Sequence, residues 1–141
     1  MNEYEHDLVE TRTLSRLIIL IAERARADFA NAIAPFDLSV PVARALFFLS
    51  EPTSMKDLAE YLACDPSYIT SIADEMETRD LITRVPGKDR RVKLLQLTQK
   101  GVAVREEAAL AVRSRVGFAH QLDAGEREAL RRLLERMLQD E

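Results

Sequence analysis

Residues 81–101 read LITRVPGKDRRVKLLQLTQKG, and this stretch decides the fold class. Residues 81–85 and 92–97 alternate in polarity and contain β-branched side chains, and Pro86-Gly87-Lys88-Asp89 separates them. Two such runs around a turn predict a β-hairpin. In its second strand we expect the inward-facing side chains to be Val92, Leu94 and, after a slip at Leu95, Leu97.

The same hairpin is strongly basic in an acidic chain. The 141 residues carry a net charge of −4, yet residues 84–100 contain six basic groups and one acidic group, a local charge of +5. A local basic patch is what contact with phosphate requires, and a whole-chain charge conceals it. A solvated surface loop would have the same composition, so charge alone does not decide.

Helices are predicted on both sides of the hairpin. Residues 3–34 contain no glycine or proline, and apolar residues recur at helical spacing through Leu14, Leu17, Ile18 and Ile21 until Pro35 ends the helix. A second helix is expected to begin near Pro41. A helix of about 25 residues is near 40 Å long, so the first one needs an apolar partner beyond its own domain.

Two short helices precede the hairpin, and each has a start signal. Ser54 is expected to cap the first, and Asp65, followed by Pro66, the second. After the hairpin, Thr98 caps a long helix and Asp123 caps a final one. The final helix carries a leucine-rich stripe at helical spacing: Leu130, Leu133, Leu134, Met137 and Leu138.

Composition excludes several classes of protein. One cysteine cannot form an internal disulfide, the acidic start does not resemble a signal peptide, and the most apolar run is six residues. We therefore expect a cytoplasmic protein without a membrane segment. His6, His120 and Cys64 lack zinc-site spacing, and no nucleophile or phosphate-loop motif occurs. We expect no enzyme, no metal and no cofactor.

The order of elements predicts a mainly α fold with a small β-hairpin wing. This is a winged helix-turn-helix flanked by long dimerisation helices. Its second short helix fits the DNA major groove, and its basic hairpin reaches the flanking backbone or minor groove. We expect a single domain over residues 1–141, with the DNA-binding part at 36–100 and the helical dimerisation part at 1–35 and 101–141.

Several motifs resemble the MarR family. Residues 89–98, DRRVKLLQLT, resemble that family's wing signature of D-x-R followed by five residues and L-T, and residues 97–101, LTQKG, resemble its L-T-x-x-G. Residues 65–70, DPSYIT, resemble its recognition helix, and residues 122–127, LDAGER, the start of its final helix. The resemblance covers nearly the whole chain.

The resemblance implies a sequence-specific regulator of transcription that binds double-stranded DNA. It implies a homodimer on a pseudo-palindromic operator, acting as a repressor that a small-molecule effector releases. Arg91 matches the wing arginine that enters the minor groove, and Asp89 matches the acid that orients its side chain by a charge-assisted hydrogen bond. A crevice between the dimer helices and the winged part commonly holds the effector in this family. The residues we place there are Ile21, Arg44, Phe47 and Val112.

DNA contacts are expected from both the recognition helix and the wing. The wing is expected to contact phosphate through Lys88, Arg90 and Lys93. The helix has no lysine or arginine between residues 65 and 78 and offers the hydroxyls of Ser67, Tyr68, Thr70 and Ser71. Its acids Asp74, Glu75 and Glu77 are expected to face away from DNA or to pair with Arg79 or Arg84.

Two alternatives remain open. The acidic recognition helix is also compatible with a winged-helix protein-interaction module of little DNA affinity. Cys64, just before a helix N-terminus where a thiolate is stabilised, is compatible with an oxidant-sensing regulator. A small buried apolar cysteine is the simpler interpretation of Cys64.

Overall fold

A computed structural model describes residues 1–139. The helices of this part of the chain are α1 Glu3–Ile33, α2 Val40–Phe48, α3 Met55–Leu62, α4 Pro66–Thr78, α5 Gln99–Arg115, α6 Phe118–Gln121 and α7 Ala124–Leu138, with a 3-10 turn at Ala34–Phe36. The strands are β1 Thr53–Ser54, β2 Ile82–Pro86 and β3 Lys93–Leu97. The predicted class, mainly α with a small β-hairpin wing, is confirmed.

The chain divides into two compact units. One comprises residues 30–112, and the other comprises residues 1–29 together with the described residues from Arg113 onward. The first unit contains the short helices and the sheet, and most of the buried apolar side chains belong to it. No helix in the described range is long and apolar enough to cross a membrane.

The predicted helix starts are found where the side chains can cap them. Ser54 Oγ accepts a hydrogen bond from the Asp57 amide at 3.1 Å, and Asp65 Oδ1 accepts one from the Ser67 amide at 2.9 Å. Asp123 and Glu126 form a reciprocal capping box at the start of α7. Each cap satisfies amides that the first helical turn would otherwise leave without a partner.

The hairpin is the larger part of a three-stranded antiparallel sheet of order β1-β3-β2. Thr53 and Arg84 both pair with Leu95, one from each side. The inward-facing residue of β3 is therefore Leu95, which is fully buried, whereas Val92 is exposed. The expected inward set was wrong at Val92, which belongs to the tip of the hairpin and not to its paired part. It was also wrong at Leu94, which is half-buried on the face opposite Leu95.

Two buried helical faces hold the short helices together. Leu58 and Leu62 of α3 and Ile69 and Met76 of α4 are buried in the core that α2 also lines. Helix α3 ends at Ala63 in the left-handed conformation, with a φ of 51°, which turns the chain sharply into α4. That conformation is energetically unfavourable for an L-residue, because its Cβ approaches the following carbonyl oxygen. The turn between the two helices is thus set by packing and by a strained alanine.

Candidate DNA-binding surface

Helix α4 carries an exposed row of hydroxyl side chains over its first two turns. Ser67, Tyr68, Thr70 and Ser71 are all exposed, while Ile69 between them is buried. The structure thus brings the four predicted helix contacts to the outer side of α4. Their positions follow from the helical period, because the apolar face must point into the core.

Two of these hydroxyls already donate hydrogen bonds within the helix. Ser67 Oγ donates to Asp65 Oδ1 at 2.6 Å, and Thr70 Oγ1 donates to the Pro66 carbonyl at 3.1 Å. The side-chain hydrogen bond from Ser67 holds the pKa of the Asp65 carboxyl below its ordinary value. With their protons engaged, both hydroxyls present lone pairs outward. They are therefore disposed to accept from a donor such as a base amino group.

The wing tip is a tight turn that projects its cations into solvent. Gly87 N–H donates to the Val92 carbonyl at 2.8 Å, and Val92 N–H donates to the Asp89 carbonyl at 2.9 Å. The basic side chains of the wing, all of them exposed, are Lys88, Arg90, Arg91 and Lys93. The structure places them together at and beside one hairpin end, where they are available to phosphate.

Asp89 acts on the backbone of the wing tip. Its Oδ1 accepts a hydrogen bond from the Arg91 amide at 3.0 Å. Among the ion pairs of residues 1–139, none joins Asp89 to the Arg91 guanidinium. The carboxylate therefore shapes the turn from which Arg91 extends, a different contact from the side-chain pairing that the motif resemblance implied.

Two carboxylates in the second half of α4, those of Asp74 and Glu77, contact an arginine of the wing strand β2. Arg84 Nη2 of β2 lies 2.6 Å from Asp74 Oδ1, and Arg84 Nε lies 3.4 Å from Glu77 Oε2. Arg79 donates instead to the carbonyls of Asp37 and Phe36, at 2.6 and 3.3 Å. Of the two pairings expected for these acids, the one with Arg84 is found for Asp74 and Glu77, and Glu75 forms no ion pair within residues 1–139.

Sequence reasoning missed the junction that joins α4, the wing and α5. Thr98 N–H donates to the Leu81 carbonyl at 3.0 Å, and Thr98 Oγ1 donates to the Asp80 carbonyl at 2.6 Å. Lys100 Nζ donates to the Arg79 carbonyl at 2.9 Å. A Cβ built on Gly101 would lie 2.0 Å from the Leu81 carbonyl oxygen. The L-T-x-x-G pattern was the available signal, and its physical content is this close backbone approach.

Cys64 lines an open groove of about 520 Å³ between α3 and α4. Its side chain is half-buried and its thiol is free. Lys56 and Thr70 line the same groove. Within residues 1–139 no group of three or more His, Cys, Asp or Glu side chains is arranged to hold a metal ion.

The residues proposed for the effector crevice are not assembled by the structure into one described site. Arg44, Phe47 and Val112 belong to the unit of residues 30–112, and Ile21 belongs to the other unit. Arg44 and Ile21 are exposed, and Phe47 and Val112 are half-buried. Their role stays a prediction.

Comparison with known proteins agrees with this geometry. The family model described as the MarR family matches residues 48–93, which contain the helix pair and most of the wing. The uncharacterized HTH-type transcriptional regulator YhbI of Bacillus subtilis is 28% identical over 137 residues, covering 94% of this chain and 89% of that protein.

Solved structures share the fold. A mutant MarR from E. coli complexed with operator DNA has a TM-score of 0.70 and 24% identity, over 92% of this chain and 96% of that chain. CouR from Rhodococcus jostii, bound to p-coumaroyl-CoA, has a TM-score of 0.75 and 23% identity, over 88% of this chain and 90% of that chain.

Proposed function

The chain belongs to the MarR family of transcriptional regulators, and we propose that it binds double-stranded DNA as a homodimer through α4 and the wing. The observation that carries this proposal is the unit of residues 30–112, which exposes both a hydroxyl row on α4 and a basic hairpin tip. A helix of that kind enters the major groove, and a cationic hairpin beside it reaches the flanking phosphates or minor groove.

The wing and α4 make different contributions to DNA binding. Four exposed cations in each wing supply the attraction to phosphate: Lys88, Arg90, Arg91 and Lys93. The hydroxyls supply selectivity, together with the shape of the minor groove under Arg91. If half of the eight wing cations of a dimer neutralise phosphates, the logarithm of affinity falls against the logarithm of salt with a slope of about −4.

Affinity measured against salt concentration tests this division. Fluorescence anisotropy with duplexes from the region upstream of the gene gives the dissociation constant at several salt concentrations. We expect Lys88→Ala to weaken all duplexes alike and to flatten the slope. We expect Thr70→Ala to leave the slope unchanged and to relax preference at one base position per half-site. If Thr70→Ala changes the slope and Lys88→Ala does not, the proposed division between wing and helix is contradicted. If the wild-type protein binds no duplex at low salt, the proposed function is contradicted.

Dimerisation is supported by apolar side chains that a single chain leaves in solvent. Exposed apolar residues occur along α1, among them Leu14, Leu17 and Ile21, and the stripe of α7 is exposed over its described length. Helix α7 has no buried residue in the single chain. Apolar faces of this extent are stabilised by burial against another chain, so residues 1–35 and 101–141 are proposed as the dimerisation part.

We also propose repression in the cytoplasm that a small organic effector relieves. CouR, which shares the fold, was solved bound to p-coumaroyl-CoA, and Arg44 and Phe47 are the predicted effector contacts that the following experiment probes. A thermal-shift screen of acyl-CoA thioesters and aromatic acids tests this role. A hit whose shift is lost in Arg44→Ala and Phe47→Ala, and which releases DNA, would support it.

Two other functions make different predictions. A protein-interaction module would bind no duplex at low salt, and the pairing of Arg84 with the acids of α4 weakens the charge argument for it. An oxidant sensor would lose DNA on peroxide treatment in the wild type but not in Cys64→Ser. Catalysis is no part of the proposal, because the known family members are regulators of transcription.

A further inference from the structure

The polar face of α4 includes carboxylates at positions where DNA would approach. Asp74 follows Thr70 by four residues and Ser71 by three, and Glu77 follows Asp74 by three. Helical residues at these spacings share a face, and all four side chains are exposed. A free carboxylate there would be repelled by the phosphates that line the major groove.

Arg84 is placed to reduce that repulsion. It lies on β2, opposite Leu95, so the sheet holds its backbone whatever its side chain contacts. Its Nη2 donates a hydrogen bond to Asp74 at 2.6 Å, and its Nε, which is buried without a hydrogen-bond partner, forms an ion pair with Glu77 at 3.4 Å. Its side chain is 29% exposed against 63% and 49% for the two acids. Within residues 1–139, Arg84 is the one basic side chain that forms an ion pair with a carboxylate of α4.

We propose that Arg84 is a positioning residue for DNA binding, which acts by offsetting part of the negative charge of Asp74 and Glu77. The inference rests on the proposed DNA-binding function and deepens it. Because the two acids are exposed, the ion pairs add little to folding stability. The ion pairs instead change the electrostatic potential that α4 presents to the DNA major groove. Arg84 thereby allows the acidic helix α4 to approach DNA. Because Arg84 belongs to a strand of the wing, it also connects the two DNA-binding surfaces, α4 and the wing.

A double-mutant cycle measured on operator DNA tests this role. The variants are Arg84→Gln, the pair Asp74→Asn with Glu77→Gln, and all three together. We expect Arg84→Gln to weaken binding by about tenfold or more at low salt, because it leaves two carboxylates without the cation that pairs with them. The same change made after the acids are neutralised is expected to cost less than about threefold, so that the two effects are coupled. Circular dichroism and the midpoint of thermal unfolding are expected to change little.

A matched control lies outside the winged part. Arg131 of α7 also sits between two carboxylates, at 2.6 Å from Glu128 and 3.0 Å from Glu135. Arg131→Gln removes a similar ion triad, and we expect it to leave DNA affinity at the wild-type value. A loss equal to that of Arg84→Gln would show a general effect of charge and overturn the proposal.

Several results would overturn the inference. An unchanged DNA affinity in Arg84→Gln would overturn it. An equal loss of affinity on Arg84→Gln in the wild type and in the Asp74→Asn, Glu77→Gln background would also overturn it, because Arg84 would then contact DNA directly. If Arg84→Gln does not fold, Arg84→Lys replaces it; wild-type affinity supports neutralisation and a tenfold loss contradicts it. A wild-type protein that binds no duplex refutes the proposed function itself, and the two failures are thereby distinguished.

Discussion

Replacing Gly101 by alanine tests whether the junction between α5 and the start of β2 depends on a close backbone approach. In an ordinary helix this change is stabilising by about 0.5–1 kcal/mol, because glycine loses more conformational freedom on folding. Gly101 is buried in α5 and does not have a positive φ, so its backbone conformation does not itself require glycine. Local propensity therefore predicts a more stable protein.

The packing at this position predicts the opposite sign. An added Cβ would lie 2.0 Å from the Leu81 carbonyl oxygen, 3.0 Å from its carbonyl carbon and 3.3 Å from Leu97 Cδ2. To reach an ordinary contact, the helix and the Leu81 carbonyl must separate by more than about 1 Å, and overpacking of this kind costs about 1–3 kcal/mol. The same carbonyl accepts the Thr98 amide, so a hydrogen bond worth about 0.5–1.5 kcal/mol is strained as well. After the propensity gain is subtracted, we expect a net destabilisation of about 0.5–4 kcal/mol.

Urea unfolding followed by circular dichroism at a fixed protein concentration measures the difference, since the stability of a dimer depends on concentration. Gly125→Ala in α7 is the control. Its Cβ would meet Asp123 Oδ1 at 3.4 Å and no backbone atom, so we expect a change within about 1 kcal/mol, neutral or stabilising. If Gly101→Ala proves as stable as the wild type, the close approach does not constrain the fold and the reasoning is refuted.

Three further predictions concern the helix turn, the wing and the dimer. Ala63→Gly relieves a left-handed alanine with a φ of 51° and is expected to stabilise the protein by about 1 kcal/mol in urea unfolding; a loss of stability would contradict this. Asp89→Asn retains an acceptor for the Arg91 amide and is expected to bind DNA at least as tightly as the wild type, whereas Asp89→Ala is expected to weaken binding; equal losses would mean that the charge matters and not the turn. Leu134→Asp is expected to bury an unpaired charge at the dimer interface at a cost of about 3–5 kcal/mol, and light scattering should then show monomer or aggregate in place of a dimer.

Signals between neighbouring residues were sufficient to predict most of the helices, the hairpin and the exposed row on α4. Ser54, Asp65 and Asp123 cap helices as expected, because a cap needs only a side chain and an amide two or three residues away. The hairpin was predictable for the same reason, since a turn of a few residues brings its strands together. The outward face of α4 followed from the helical period alone.

Contacts between distant parts of the chain were decided only by the tertiary structure. Strand β1 has two residues and no periodicity, and it exists because Thr53 and Ser54 meet the free edge of β3. Arg84 is ten residues from Asp74, and Gly101 is twenty residues from Leu81. The sequence left Arg79 and Arg84 both open as partners of the α4 acids, and only the fold decided between them. The L-T-x-x-G motif marked Gly101, but only the fold shows which carbonyl it approaches. Charge counted along α4 favours repulsion from DNA, and the fold brings one guanidinium against Asp74 and Glu77 that offsets part of that charge. The sequence thus determined which surfaces could face DNA. The packing of residues that lie far apart in the chain determined the net charge of those surfaces, and it determined the close backbone contact that Gly101 permits.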